Sequence, residues 1–494
     1  MTTTSEPKAE SEAPTRRGLS GSLGVGAIVL MVVAAASPLT VIGGSVPLGI
    51  LLGNGVGFPA LFAASAIVLL LFSVGLAAMT KKIPKPGGFF TFVGYGLGKP
   101  SGLATAYVAL LAYTTIQVAV YGYLGFLLST TVAGLGGPEV AWWLYALATS
   151  AIVGLLGYRH IDLSSKVLGV LLIGEVLIVL ALVAAVVFGG SAPEGLSVEP
   201  FLPTNIFSGT PGVGLIFAIA AFIGFESTVI FRDEARDPDR TIPRATYTAV
   251  IGIGVFYTLA SWGIIMAWGP TQVVGIAAEN PGAMVITTTL NYLGPIGEII
   301  INTLLITSMF ACVLSFHNVI TRYQYSMSNA KLLPGRLGDV HSKHLSPHFS
   351  SLAQTAVAGI LIVVFAILGL DPVLAVFTWF SGIATLAVAI LMAATSLAVI
   401  VYFARSRSDS RPWNTMVAPA LGLVGLVGAA VIIFVNFPFL VGDVNAEGVP
   451  VFGVVSTVLI GLLVVCIGGG YLQAYLLKRR DPASYEQITE AISG

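Results

Sequence analysis

The chain has 494 residues, of which 56% are hydrophobic and 9% charged, and its 23 Lys and Arg balance 23 Asp and Glu. A soluble domain carries roughly 25% charged residues, so this composition excludes an ordinary soluble fold and indicates a membrane-embedded chain. No face gathers basic residues between stacking aromatics, which argues against nucleic acid as a partner.

Residues 1–20 are polar, with Pro7, Pro14 and three glutamates, and read as a disordered cytosolic tail without the features of a secretory signal. Apolar runs long enough to cross about 30 Å of hydrocarbon then recur twelve times. They lie near 23–48, 57–80, 101–128, 139–159, 166–188, 212–232, 245–268, 295–327, 351–369, 372–403, 413–437 and 451–477. The expectation is an all-α integral membrane protein of 12 transmembrane helices, one transporter domain over 21–478, and a second cytosolic tail at 479–494. Cys312 and Cys466 both fall within spans, so no disulfide framework is implied.

Lys and Arg are retained on the cytoplasmic side during insertion, which fixes the orientation. With the N-terminus inside, all 23 fall in cytoplasmic segments, from Lys8 to Arg480. The outer loops carry Glu139, Glu194, Glu199, Glu279, Asp371, Asp443 and Glu447 instead. Twelve spans with both termini cytoplasmic, in the cell membrane, satisfy this pattern.

Two spans are interrupted. In span 1, Pro38 supplies no N–H to the carbonyl of Ala34, and Gly43-Gly44 loosens the next turn. In span 6, Gly224 and Glu226 interrupt the apolar run that begins at Gly212. An ionised acid at the bilayer centre costs roughly 2.5–3.5 kcal/mol on insertion scales, so such a segment faces protein or water rather than lipid. The two spans are five apart, and five is odd, so a second copy of the pattern would cross the membrane in the opposite direction. Interrupted segments at corresponding positions of two inverted halves point to a secondary transporter's binding site. The halves are expected at 21–188 and 212–404, with helices 11 and 12 over 413–477 outside the repeat.

Gly224-Phe225-Glu226, the pair Asp233-Glu234, and Asp237-Pro238-Asp239-Arg240-Thr241-Ile242-Pro243-Arg244-Ala245 resemble the sixth-span signature of the amino acid, polyamine and organocation permeases. Ile83-Pro84-Lys85-Pro86-Gly87-Gly88 with Phe89, Phe90 and Phe92 resembles the family's loop after span 2. Leu332-Leu333-Pro334, Val340-His341 and Ser346-Pro347 resemble the end of span 8 and its loop. The resemblance implies a 5+5 inverted-repeat (LeuT-like) bundle with discontinuous helices 1 and 6, working by alternating access, with substrate between the two breaks.

For an amino acid zwitterion, amides at an unwound helix end suit the carboxylate and freed carbonyls suit the ammonium. The resemblance carries over Ala35, Ala36 and Ser37 as carboxylate donors, and the carbonyls of Ala34, Ala220 and Ile223 as ammonium acceptors, with Phe222 and Gly224 beside them. The family's glycine-serine-glycine triplet is absent from span 1, and Gly43-Gly44-Ser45 is an alternative position for its break. Gln117 on span 3, flanked by Tyr113 and Tyr121 at i±4, and Phe316 and His317 on span 8 fall where members contact the substrate's side chain; packing between helices is the plainer role for each.

Glu226 resembles an acid tied to pH sensing in proton-linked members. Glu175 on span 5 stands where sodium-independent relatives place a lysine. Proton-coupled uptake with Glu175 or Glu226 as carrier is the expectation, with a structural acid as the alternative. Asp233, Glu234, Asp237, Arg240 and Arg244 read as a salt-bridged cytoplasmic cap, or else as an inward gate.

No phosphate-cradling glycine loop is present, so ATP-driven pumping by this chain is not expected. His341, His344 and His348 have metal-like spacing, but Pro347 breaks any shared helix face, so neither metal nor cofactor is implied. The transporter reading, for a small amino acid or amine substrate, stands against a polyamine or organocation permease, an amino acid exchanger, a nutrient sensor on the same fold, and a membrane enzyme without a catalytic constellation.

Overall fold

A computed structural model describes residues 23–83, 88–159, 165–329, 331–342, 344, 346–483 and 485–486; for residues 34, 35, 165, 166, 168, 230, 233 and 234 it describes the backbone alone. The N-terminal tail, Pro84, Lys85, Pro86 and Gly87 of the loop motif, and most of the C-terminal tail lie outside the described residues.

The described chain is helical, and its only β pairing is two isolated bridges. Hydrocarbon offers no partners to N–H and C=O groups, so a chain this apolar must satisfy them within its own helices. Eleven helices among the described residues are long and apolar enough to cross a membrane, and Trp142–Tyr158 is a further apolar helix of 17 residues. Together they overlay the twelve expected runs. Span 1 comprises Val25–Ala36 and the helical stretch from Pro38 to Leu52, span 2 Phe58–Thr80, span 3 Lys99–Gly134, span 4 Trp142–Tyr158 and span 5 Ser165–Phe188. Span 6 comprises Pro211–Ala220 and Phe225–Glu234, and spans 7 to 9 are Pro238–Trp268, Met284–Asn329 and His348–Ile367. Spans 10 to 12 are Thr378–Ser406, Ala418–Leu440 and Val454–Arg480.

Two boundaries differ most from expectation. Span 8 starts at Met284 rather than 295, because the chain kinks at Gly294 (φ 70) ahead of Pro295 and then continues as helix. Span 7 starts at Pro238 rather than 245. The Asp237 carbonyl accepts from the N–H groups of Arg240 and Thr241 at 3.1 and 2.7 Å, so the charged run forms the first turns of span 7.

The two interrupted spans lie side by side and antiparallel. Val25–Ala36 packs on Phe225–Glu234, and Val46–Leu52 packs on Pro211–Ala220. Beyond the start of span 1 and the end of span 6 the two segments meet in the backbone, where Arg236 N–H donates to the Leu23 carbonyl at 3.0 Å. Around this pair, spans 5, 7 and 8 pack on the first half of span 1, and spans 2, 10 and 11 pack on the first half of span 6. Span 12 lies mainly along span 3, where a Cβ on Gly470 would meet Ala104 Cα at 2.4 Å, so only glycine permits this helix contact. Outward-facing Val170, Leu177, Ile360 and Val424 are strongly exposed, as a lipid-facing surface requires.

Candidate functional site

Span 1 runs as helix to Ala36, after which Ser37 takes a left-handed conformation (φ 53, ψ 73) and a new helix starts at Pro38. For an L-residue this conformation costs roughly 1–2 kcal/mol, so it persists only where its surroundings fix it. Ser37 is fully buried, and its hydroxyl lies 2.5 Å from Thr40 Oγ1 and 2.7 Å from Ser308 Oγ on span 8. Gly43-Gly44-Ser45 is not the break. It lies in a π-helical stretch, Val41–Ser45, where Tyr123 OH donates to the Gly43 carbonyl at 2.7 Å and the Phe377 ring fills the space over Gly44.

Span 6 stops at Ala220, turns through 221–223, and reaches Gly224 at φ 111, a conformation open to glycine. A tight 3-10 segment, Phe225–Glu234, follows. The two breaks abut: a Cβ on Gly224 would lie 3.8 Å from Ala36 N and 3.9 Å from its Cα.

Each break has its own carboxylate. Glu175 reaches from span 5, and its Oε2 accepts from Leu39 N–H at 3.2 Å and from Ser308 Oγ at 2.8 Å. Leu39 follows Pro38 in the first turn of the restarted helix, so Glu175 acts as that helix's N-terminal cap from another span. The hydroxyl directions follow: Ser308 donates to Glu175, Ser37 donates to Ser308, and Thr40 donates to Ser37. At the second break, Glu226 Oε2 accepts from Gly224 N–H at 2.8 Å and Oε1 accepts from Tyr113 OH at 2.9 Å. Both acids are buried, at 4% and 6% exposure, and neither pairs with a described Lys or Arg.

The remaining expected residues divide into two groups. Phe222 and Ile223 are buried at the span 6 break, the Ala220 carbonyl accepts from Ile223 N–H at 3.1 Å, and Phe316 lies with its ring centroid 6.0 Å from that of Tyr113. Gln117 and His317 bond to neighbouring spans. Gln117 donates to the Val313 carbonyl at 3.0 Å and accepts from Gln354 at 2.8 Å, and Gln354 in turn accepts from Gln324. His317 Nε2 lies 2.9 Å from Ser351 Oγ, against Gly157 of span 4. These side chains form a polar seam joining spans 3, 4, 8 and 9.

One assignment is corrected in its physics. Ala35 and Ala36 lie in the last turn of a helix, where amides point back to carbonyls four residues earlier. Such an end leaves carbonyls open, not donors. The side chains of Ala34, Ala35, Asp233 and Glu234 lie outside the described residues.

In the charged run, Arg232 meets Asp239 at 3.0 Å, Arg240 lies 3.8 Å from Asp237 with both well exposed, and Arg244 is exposed on the second turn of span 7. Sequence reasoning missed Ser308, Thr40 and Tyr323. Tyr323 OH, buried and without a hydrogen-bond partner among the described residues, borders a cavity of about 10 Å³, shared with Glu226, Tyr113 and Gly88. That is about the room of one water.

An all-helical, multi-pass membrane chain with paired, carboxylate-capped breaks in two adjacent spans defines a membrane transporter rather than an enzyme. The chain belongs to the amino acid permease family, whose model matches residues 23–468. It is similar to the aspartate-proton symporter of Bacillus subtilis, at 25% identity over 39% of this chain and 38% of that one. It is also similar to the serine/threonine exchanger SteT of Bacillus subtilis, at 21% identity over 79% and 86% of the two chains. A third relative is the low-affinity putrescine importer PlaP of Escherichia coli (strain K12), at 22% identity over 67% and 72%.

Proposed function

We propose that this protein is a secondary active transporter that takes up an amino acid or a related amine across the cell membrane by alternating access. The substrate lies between the breaks at Ser37 and at 221–224, and a proton is the coupling ion, carried by Glu175 or Glu226. The abutment of Gly224 on Ala36 carries this reading, because it brings two interrupted helices together inside the bundle. The division into inverted halves at 21–188 and 212–404 belongs to the same proposal, as do the two cytoplasmic termini.

The Ala34, Ala220 and Ile223 carbonyls receive the substrate's ammonium, and Tyr113, Phe222 and Phe316 line its apolar part. Ser37 shapes the break rather than lying in the substrate's path. Gln117 and His317 hold the neighbouring spans in register. A proton symporter among the relatives supports proton coupling, SteT supports exchange as the second mode, and PlaP extends the substrate class to amines.

Uptake into proteoliposomes under imposed pH and sodium gradients tests the coupling. Accumulation that follows the inward pH gradient without sodium is expected; a rate indifferent to pH with a sodium requirement would remove the proton from the mechanism.

A further inference from the structure

Away from the breaks, spans 2 and 7 meet through small residues, and a groove lies over that contact. A Cβ on Gly254 would lie 2.6 Å from the Ala66 Cβ, so the two helix backbones approach closely at this level. Larger side chains stand to either side, Ile67 and Leu70 of span 2 on one bank and Ile251 and Val255 of span 7 on the other. The groove between them holds about 450 Å³, within the roughly 300–1,000 Å³ of small-molecule sites. Ile67 and Val255 are strongly exposed, so its open side faces hydrocarbon.

Its two ends differ. One runs out between Leu70 and Ile251, while the other is closed by Phe201 and by Trp262, whose Nε1 donates to the Ser197 carbonyl at 2.9 Å. The segment that carries Ser197 and Phe201, between spans 5 and 6, also exposes Leu196, Val198, Leu202 and Phe207. Exposed apolar side chains on a connecting loop, beside a tryptophan, mark the bilayer surface rather than bulk water. From Trp262 to Ile251, eleven residues, span 7 rises about 17 Å, half of the roughly 30 Å hydrocarbon core. The groove therefore has the length of an acyl chain in one leaflet.

Two polar features fit the rest of a lipid. Thr258, one turn in from Trp262, lines the groove, and its hydroxyl is buried without a hydrogen-bond partner among the described residues. A buried hydroxyl costs stability until something accepts from it, and a glycerol ester carbonyl just beneath the bilayer surface can do so. At the rim Glu199 is exposed, with no ion-pair partner among the described residues. Residues 18–80, 167–231 and 245–321, which supply both banks and the rim, contain no Lys or Arg. This rim repels an anionic headgroup and suits one that ends in an ammonium.

We propose that this groove binds one zwitterionic phospholipid, with an acyl chain along the Ala66–Gly254 contact, an ester carbonyl at Thr258 and the headgroup's ammonium beside Glu199. The chain lies directly behind the span 6 break, because the same Cβ on Gly254 would stand 3.8 Å from the Phe222 ring. It braces spans 2 and 7 where they back Phe222.

The test uses the full-length protein in detergent, stripped of lipid, with dioleoyl phosphatidylethanolamine, phosphatidylcholine and phosphatidylglycerol as probes. Native mass spectrometry reads the first lipid bound, and phosphatidylethanolamine with a diazirine in its acyl chain maps where it sits. Crosslinks should fall on residues 63–70 and 251–262 several-fold more often than on the exposed span 9 segment 357–367. Ala63→Phe and Val255→Trp fill the groove from opposite banks, and each should cut that labelling several-fold, while Val363→Phe on span 9 leaves it unchanged. Either zwitterionic lipid should bind several-fold tighter than phosphatidylglycerol, a preference that Glu199→Lys reverses. Thr258→Val should weaken binding about five-fold, the worth of one hydrogen bond. Labelling spread evenly over the lipid-facing spans, or unchanged in the folded groove-filling variants, overturns the site. Phosphatidylglycerol bound as tightly as the other two overturns the headgroup assignment. Chain-to-chain crosslinks from a photoreactive residue at position 255 would put a second copy in the groove and overturn the lipid. These readouts do not involve transport, so their failure leaves the substrate reading untouched.

Discussion

The breaks in spans 1 and 6 solve one problem in two ways. Both start a new helical segment inside the membrane, and both give an amide at its start to a buried glutamate. At span 6 the acid is local: Glu226 lies two residues from the Gly224 N–H it accepts. At span 1 the acid is remote, since Glu175 comes from span 5 and is shared with Ser308 of span 8. The local cap can move with its own helix, whereas the remote cap ties three spans together and must be made or broken when they move apart. Strain is distributed differently as well. Span 6 uses glycine where φ is 111, while span 1 places a serine in the left-handed region and anchors it through a hydroxyl chain.

The largest effect should come from Gly224→Val. A branched side chain at that φ costs about 1–3 kcal/mol of backbone strain and presses on Ala36, so transport should be lost with a lowered melting temperature. Normal uptake by a folded variant would mean that the breaks need not abut.

The difference between remote and local caps predicts unequal costs for removing them. Glu175→Ala strands the Leu39 amide and the Ser308 hydroxyl on two separate spans, for about 1–3 kcal/mol in stability. Glu226→Ala strands the Tyr113 hydroxyl on span 3, but it should cost less because the Gly224 amide can rearrange within its own segment. Double-mutant cycles of Glu175 with Ser308 and of Glu226 with Tyr113 would measure the coupling, and equal terms would erase the distinction.

Gln117→Leu should cost about 1–3 kcal/mol by unpairing the Val313 carbonyl and Gln354, yet leave substrate affinity within about two-fold. A larger loss of affinity at unchanged stability would return Gln117 to the substrate. The smallest effect is expected at Asp237→Asn and Arg240→Gln, where an exposed pair is worth under about 1 kcal/mol. If these residues gate the inner face, turnover should change more than affinity in uptake assays; a rate equal to wild type would leave them as a surface cap.

The membrane-crossing helices were legible because hydrocarbon demands long apolar runs, a signal that is additive along the chain. The span 6 break was legible through Gly224, a residue whose conformational freedom is local. The span 1 break was harder. Pro38 pointed to it, but Gly43-Gly44 gave the same local signal and turned out to make room for Tyr123 and Phe377, contacts from distant spans. The partners of Glu175 were not legible at all, because Leu39 and Ser308 lie 136 and 133 positions away in the chain. For the same reason the facing of Gln117 could not be read from spacing, since helical periodicity gives a face but not the neighbour it meets.

The single backbone bond from Arg236 to Leu23 gives the start of span 1 a mechanical role. It joins Leu23, two residues ahead of span 1, to the segment that closes span 6, so a force applied at residue 23 is felt ten residues from Glu226. A spectroscopic label placed at residue 23 would therefore ride with the first half of span 1 and the second half of span 6 at once, and its motion would report on the pair as one lever.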